Sequence, residues 1–132
     1  MLKKSYGSVQ VTWLDRPAVL AAVISSVHQL AGRKPEVQKV ILFGSMARGD
    51  AVPGSDVDLL VVLTESGQPF LERISQYLVS GVPVGVDVFP YTEHELAGML
   101  EDGNPFIRQA LNEGITLYER VKPNTPSPDS LQ

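Results

Sequence analysis

Apolar residues recur along the chain with two different periods, and each period indicates one kind of element. The first helical period is carried by four residues: Leu20, Val23, Val27 and Leu30. Asp15 lies just before this stretch at the N-cap position, Pro17 lies in the first turn, and Gly32 follows the stretch. We therefore predict an amphipathic helix over 16–31.

Apolar runs at 37–44, 56–63 and 82–91 predict three strands. The run DVDLLVVL at 56–63 is continuously apolar after its acids, which is typical of a strand covered on both faces. The short segment ITLYE at 115–119 predicts a last strand. Near the N-terminus, SVQVTWL at 8–14 alternates weakly, which is compatible with a short edge strand or with an extended arm.

Turn residues and a helix-capping residue predict two more elements in the middle of the chain. The segment MARGDAVPGS at 46–55 is rich in turn residues and can open with one or two helical turns. Ser66 can cap a helix that continues to about residue 78. The residues expected to face inward on that helix are Leu71, Ile74 and Leu78.

The C-terminal third carries clear signals for two further helices. Thr92 and Glu95 form a capping-box pattern, which opens a helix that ends near Glu101. The Asn-Pro pair at 104–105 opens another helix, and Gly114 ends it. Because helices and strands alternate, we predict one small α+β (α/β-like) sheet domain over 16–120.

The two ends of the chain are expected to lie outside this domain. Residues 1–15 are interpreted as an N-terminal arm or edge strand. Residues 121–132 contain the proline-rich segment KPNTPSPDSLQ and no core-forming run, so we predict a disordered tail.

Composition narrows the function classes. The chain has 132 residues, a net charge of -4 and no cysteine, which excludes disulfides and thiolate metal sites. The basic residues are scattered, so we expect no direct nucleic-acid binding. Neither a secretory signal nor an apolar run of the roughly 18–20 residues needed to span a membrane is found, so we expect a cytoplasmic protein without membrane attachment.

Carboxylates in apolar strands are the first candidate chemistry. Asp56 and Asp58 are two residues apart in a strand, so their side chains share a face at a spacing of about 7 Å. Two carboxylates on one face repel each other unless a cation lies between them, and Mg²⁺ suits such oxygen ligands. Asp87 in VGVDVF can join them if the two strands are neighbours, either as a third ligand or as the base that accepts a nucleophile's proton.

The turn after the first strand is the second candidate feature. Gly44 and Ser45 end an apolar strand, and a strand that turns into a helix there presents backbone N–H groups and a hydroxyl to a phosphate. Arg48 is placed either to touch a phosphate or to brace the loop through an acidic neighbour. Together these residues predict a triphosphate held beside metal-binding acids, which is the arrangement for nucleotidyl transfer with two metal ions.

The motif formed by GSMARGD and SDVDLLV, with ten residues between Gly44-Ser45 and Asp56-Val57-Asp58, resembles the nucleotidyltransferase superfamily of DNA polymerase β and kanamycin nucleotidyltransferase. The small size is similar to the minimal nucleotidyltransferase antitoxins that partner HEPN-domain toxins. The resemblance implies a polymerase-β-type nucleotidyltransferase fold, a mixed twisted sheet with packed helices.

The same resemblance implies the reaction and its participants. It implies ATP as substrate, Mg²⁺ on Asp56 and Asp58, phosphates on Gly44 and Ser45, and a third acid at Asp87. It also implies transfer of AMP to a tyrosine of a partner HEPN toxin. Homo- or hetero-oligomers are both compatible with so small a chain.

Two alternatives of different classes stay open. The chain can be a non-catalytic antitoxin that neutralises its toxin by binding. It can also be a small-molecule nucleotidyltransferase whose acceptor site is completed by a partner, since the sequence offers little for an acceptor pocket of its own.

Overall fold

The computed structural model describes residues 2–6, 9–13 and 15–121 of the chain. The elements in chain order are β1 (Leu2–Tyr6), β2 (Val9–Trp13), α1 (Arg16–Arg33), β3 (Val37–Phe43), α2 (Ser45–Arg48), β4 (Val57–Leu63), α3 (Phe70–Gln76), β5 (Val86–Thr92), α4 (Glu93–Glu101), α5 (Pro105–Glu113) and β6 (Ile115–Glu119). Within these residues, none of the helices combines the length and the apolar character that crossing a bilayer requires.

The main sheet has four strands in the order β5-β4-β3-β6. Strand β4 pairs in parallel with β5, whereas β3 pairs antiparallel with both β4 and β6. This mixed sheet with packed helices confirms the predicted α+β class. Strands β1 and β2 pair with each other in a separate two-stranded sheet. The sequence pattern around 8–14 did not indicate the partner strand at 2–6. The proline-rich tail predicted at 121–132 lies, from residue 122 onward, outside the described residues.

Both faces of the central strands are buried, because alternate residues of β3 and β4 enter two different clusters. On one face the apolar side of α1 packs against the sheet through the buried side chains of Val23, Val27, Leu30, Leu42, Leu59 and Val61. On the other face the sheet meets α4 and α5 through a second group: Ile41, Leu60, Val62, Leu96, Ile107 and Ala110. Each valine, leucine or isoleucine among them contributes about 1.5–3 kcal/mol by leaving water, so the pairing of β3 with β4 is firmly held in the core.

Helix ends follow the capping signals of the sequence. The Asp15 side chain accepts from the amide of Ala18 at 3.1 Å, as an N-cap does. Thr92 and Glu95 form the complete capping box, with both reciprocal hydrogen bonds present. Asn104 caps α5 by accepting from the amide of Ile107 at 3.2 Å.

Helix α3 corrects the prediction for 66–78. The helix begins at Phe70 after Pro69 rather than at a Ser66 cap, and the Leu71 side chain predicted to face inward is 79% exposed. Leu78 was also predicted to face inward and is 50% exposed, whereas Ile74 does pack partly against the core. The buried face instead carries polar groups, because Arg73 is 5% exposed and Tyr77 is 2% exposed.

Hydrogen bonds explain why those polar residues are buried. The Arg73 guanidinium donates to both carboxylate oxygens of Glu95, at 2.6 and 3.1 Å, and to the carbonyl oxygen of Pro90 at 3.1 Å. The Tyr77 hydroxyl donates to Glu36 at 2.6 Å. With its polar atoms satisfied, a long side chain can fill the inward face, and the apolar pattern alone does not show this.

Candidate active site

The three predicted acids lie at the amino ends of two neighbouring strands. Asp58 and Asp87 are register partners in the parallel pair of β4 and β5, so their side chains lie on the same face. Asp56 lies just before β4, two residues from Asp58. Across the antiparallel pair, Asp58 is also the register partner of Phe43, the last residue of β3. The structure therefore brings the acids close to the carboxyl end of β3, where the Gly44-Ser45 turn begins.

Asp58 is electrostatically the most constrained of these acids. Its pKa is raised above the ordinary value, first by burial and then by the negative charges of Asp87 and Asp56, while Arg48 opposes the shift. Asp56 and Asp87 themselves are exposed, and Asp58 is half-buried. Asp58 thus lies in the field of two further carboxylates, which favours a bound cation.

Two glycines leave room for these carboxylates. A Cβ on Gly44 would collide with the Asp58 carboxylate, and the φ of Gly44, 77°, already favours glycine. A Cβ on Gly85 would lie 2.5 Å from Oδ1 of Asp56. Gly85 was not among the residues predicted for the site, although a glycine two residues before Asp87 is a signal that the backbone there passes close to a side chain.

The Gly44-Ser45 turn is built as predicted in its outline but not in its hydrogen bonding. Strand β3 ends at Phe43 and α2 begins at Ser45, so the turn does join a strand to a short helix. The Gly44 amide, predicted to be available, donates to Oε1 of Glu113 at 2.9 Å. The Ser45 hydroxyl has no hydrogen-bond partner in the part of the chain that the structure describes.

Arg48 braces this turn, which is one of the two roles that the sequence left open. Its guanidinium donates to both carboxylate oxygens of Glu113 at 3.1 Å and to Asp50 at 3.2 Å. The Arg48 side chain is 41% exposed, so part of it also faces solvent. Glu113, at the end of α5, is a site residue that the sequence analysis missed because it lies far along the chain.

A cleft of about 330 Å³ opens beside these groups. It is lined from the turn and β4 by Gly44, Ser45, Arg48 and Asp58, and from α5 by Phe106, Gln109 and Glu113. Asp58 therefore faces the cleft together with the predicted phosphate-binding residues. Asp56 and Asp87 do not line it, although Asp87 is the register partner of Asp58 and Asp56 lies two residues before it.

Oxygen ligands from three carboxylates match the chemistry that hard divalent cations prefer. The mutual repulsion at Asp58 is an independent sign that these residues fit a cation. Over residues 2–6, 9–13 and 15–121, however, no three Asp, Glu, His or Cys side chains are already arranged as a metal-binding group. A metal here would need the exposed Asp56 and Asp87 side chains to turn toward it.

A family model described as "Nucleotidyltransferase domain" matches residues 23–117, which is well over half of the chain. The chain belongs to the nucleotidyltransferase domain family. The match contains Asp56, Asp58, Asp87 and Glu113 together with the Gly44-Ser45 turn.

Individual relatives of this nucleotidyltransferase agree with the family match. A protein from Methanocaldococcus jannaschii, named "Putative protein adenylyltransferase", is 33% identical over 82 residues, covering 62% of this chain and 79% of the relative. Among solved structures, a "putative nucleotidyltransferase" from Sulfolobus solfataricus superposes with a TM-score of 0.58 at 24% identity, covering 81% of this chain and 86% of that one. A structure described as a toxin-antitoxin with AMP-PNP superposes with a TM-score of 0.50 at 21% identity, covering 74% and 73%. At these identities the solved structures show a shared fold.

Proposed function

We propose that this chain is a Mg²⁺-dependent nucleotidyltransferase that transfers AMP from ATP to a tyrosine of a partner protein, and that it acts as the antitoxin of a HEPN-type toxin. The observation that carries the proposal is the register pairing of Asp58 with Asp87 beside the cleft of the Gly44-Ser45 turn. Acids on two adjacent strands would supply ligands for a cation. The neighbouring turn, whose Ser45 hydroxyl has no partner among the described residues, would supply donors for a phosphate.

Each residue has a proposed role. Asp56, Asp58 and Asp87 would hold one or two Mg²⁺ ions, and Asp87 is alternatively the base that takes the acceptor's proton. Gly44, Ser45 and Arg48 would bind the phosphates of ATP. When bound, the metal would neutralise the acids and the triphosphate and stabilise the leaving pyrophosphate.

The protein's own contribution is to position the reacting groups. The turn and Arg48 would orient the triphosphate so that its α-phosphorus faces the acceptor oxygen beside Asp58. The acceptor hydroxyl forms the new P–O bond, the bond to pyrophosphate breaks, and the hydroxyl proton passes to a carboxylate or to solvent. Such catalysis depends on alignment and charge more than on covalent chemistry by the protein.

Two of the comparisons support a protein as the acceptor. The relative from Methanocaldococcus jannaschii is named for protein adenylylation, and one structural neighbour is a toxin-antitoxin with AMP-PNP. The cleft is open and modest in volume, which suits an acceptor residue presented by another chain.

The decisive experiment mixes the chain with ATP, Mg²⁺ and a cognate HEPN-type toxin, and measures the toxin mass. We expect a gain of one AMP on the toxin, located on a tyrosine by peptide mapping. Asp58→Asn should abolish the gain, whereas Asp102→Asn, an identical change at an exposed helix end away from the cleft, should leave it intact. If Asp58→Asn still neutralises the toxin without any mass gain, neutralisation occurs by binding and does not need AMP transfer. If the unchanged chain gives no mass gain on the toxin, the catalytic proposal is wrong.

A further inference from the structure

Glu113 places a carboxylate where the proposed function needs a phosphate. Its Oε1 accepts from the Gly44 amide at 2.9 Å, and both its oxygens accept from the Arg48 guanidinium at 3.1 Å. These two donors are the ones proposed to bind the triphosphate. A carboxylate and a phosphate oxygen make the same kind of charge-assisted hydrogen bond to an amide and a guanidinium, so the two compete for one position.

The local electrostatics are unfavourable for a carboxylate in this place without those donors. Glu113 is the last residue of α5, where the helix dipole repels negative charge. Its charge also adds to the field that raises the pKa of Asp58. The hydrogen bond from Gly44, followed by that from Arg48, lowers the pKa of Glu113 and keeps it ionised.

The backbone under Glu113 is fixed, so only the side chain is available to move. A Cβ on the next residue, Gly114, would collide with Cγ2 of Ile41 and lie 2.5 Å from the carbonyl oxygen of Ala110. Ile107 and Ala110 of the same helix are fully buried in the core. The Glu113 side chain, by contrast, borders the cleft, so its carboxylate is the part that a ligand there would displace.

We infer that Glu113 is a positioning residue of the nucleotide site, which occupies the phosphate position while the site is empty and which a nucleoside triphosphate must displace. This inference rests on the proposed function. In the nucleotide-free protein the carboxylate keeps the Gly44 amide satisfied and Arg48 directed at the cleft. Its displacement on binding lowers the apparent affinity for the triphosphate, because an existing set of charge-assisted bonds is lost.

The sign of an affinity change separates this inference from a purely structural role. Isothermal titration calorimetry of the full chain with AMP-PNP and Mg²⁺ gives the dissociation constant. For Glu113→Gln we expect binding to be tighter by about three- to tenfold, since one competing charge leaves a partly solvated anion site. A residue that only braces the turn would weaken binding when it is changed.

Glu101→Gln is the matched control, because it makes the same charge change on the exposed surface of α4. It should bind as the unchanged chain does. Thermal unfolding of each variant confirms that it is folded before titration. The amide resonance of Gly44 in a ¹⁵N-correlated spectrum should also shift on addition of inorganic triphosphate, and less triphosphate should be needed in Glu113→Gln.

The outcomes are distinct. Tighter binding by Glu113→Gln supports the inference, including the case in which only that variant binds measurably. Equal or weaker binding by Glu113→Gln, while the unchanged chain binds, overturns the inference alone. Absence of binding in every folded variant overturns both the inference and the proposed nucleotide site.

Discussion

Asp58 in β4 is the register partner of Asp87 in β5, so two neighbouring parallel strands present an acid at the same level and on the same face. A fold selected for stability alone gains nothing from this pairing, because the charges repel and burial raises the pKa of Asp58 further. The pairing is therefore the clearest mark of function in the structure.

Asp58→Asn should stabilise the metal-free protein at neutral pH. The change keeps the side-chain shape and removes one repelling charge, so we expect the free energy of unfolding to rise by about 0.5–1 kcal/mol. Urea denaturation measures it, with Asp102→Asn as the control that should show no comparable gain. Added Mg²⁺ should raise the melting temperature of the unchanged chain more than that of Asp58→Asn. A destabilised Asp58→Asn would contradict this account of the acids.

Gly44→Ala should be among the most damaging small substitutions in the chain. The backbone at Gly44 has φ 77° and ψ -161°, a region used almost only by glycine, and the new Cβ would also meet the Asp58 carboxylate. We expect a loss of about 2–3 kcal/mol in the free energy of unfolding. Gly49→Ala is the control, because Gly49 also has a positive φ but open space around it, and a loss of about 1 kcal/mol is expected there. Equal losses at both positions would show that the contact with Asp58 contributes nothing.

Gly85→Ala should impair activity more than stability. Gly85 does not have a positive φ, but its Cβ would push the exposed Asp56 carboxylate away from its place at the strand end. Misplacement of a reacting group by about 1 Å can cost roughly a hundredfold in rate, so we expect AMP transfer to fall by about ten- to a hundredfold. Gly67→Ala, in a loop with open space, should transfer AMP normally. The inference about Asp56 fails if Gly85→Ala transfers AMP at the unchanged rate.

The pair formed by Arg73 and Glu95 should make stability depend on acid pH. The hydrogen bonds from Arg73 lower the pKa of Glu95 from 4.5 to about 2. For an acid with a lowered folded-state pKa, the stabilisation is complete above the unfolded value and is lost as the pH falls from about 5 toward 2. Because the Glu95 side chain is 38% exposed, solvent screening reduces its contribution to about 1–2 kcal/mol.

The corresponding measurement compares Glu95→Gln with the unchanged chain by urea denaturation across this pH range. The difference in the free energy of unfolding should be largest near neutral pH and should shrink toward pH 2. Glu101→Gln, which lies on the exposed surface of the same helix, should show no such trend. A difference that is independent of pH would mean that the charge of Glu95 is not what stabilises α3 against α4.

The sequence predicted most of the secondary structure for local reasons, and it pointed to three candidate acids by their place in apolar strands. The continuous apolar run after Asp58 predicted a strand covered on both faces, and caps such as Asp15 and Thr92 located helix starts within one residue. The adjacency of β4 and β5 was a condition on which the role of Asp87 depended, and the structure meets it.

The parts that the sequence did not predict depend on contacts between distant residues. Arg73 replaces leucines on the inward face of α3 because Glu95, 22 residues away, satisfies it. Glu113 reaches the Gly44 amide from 69 residues away, and no local pattern encodes that hydrogen bond. The contact between Gly44 and Asp58 is also non-local. The lack of a Cβ at Gly44 makes room for the Asp58 carboxylate only because β3 and β4 pair.

Helix α5 contributes to two environments at once. Ile107 anchors it in the core, Phe106 and Gln109 form part of the cleft wall, and Ala110 does both. A change of volume at Ile107 would tilt the helix and reshape the cavity without altering any residue that lines it. Substitutions in the hydrophobic interior can therefore change which ligands fit the cleft. A comparison of homologous enzymes that considers only cleft-lining positions would overlook this cause.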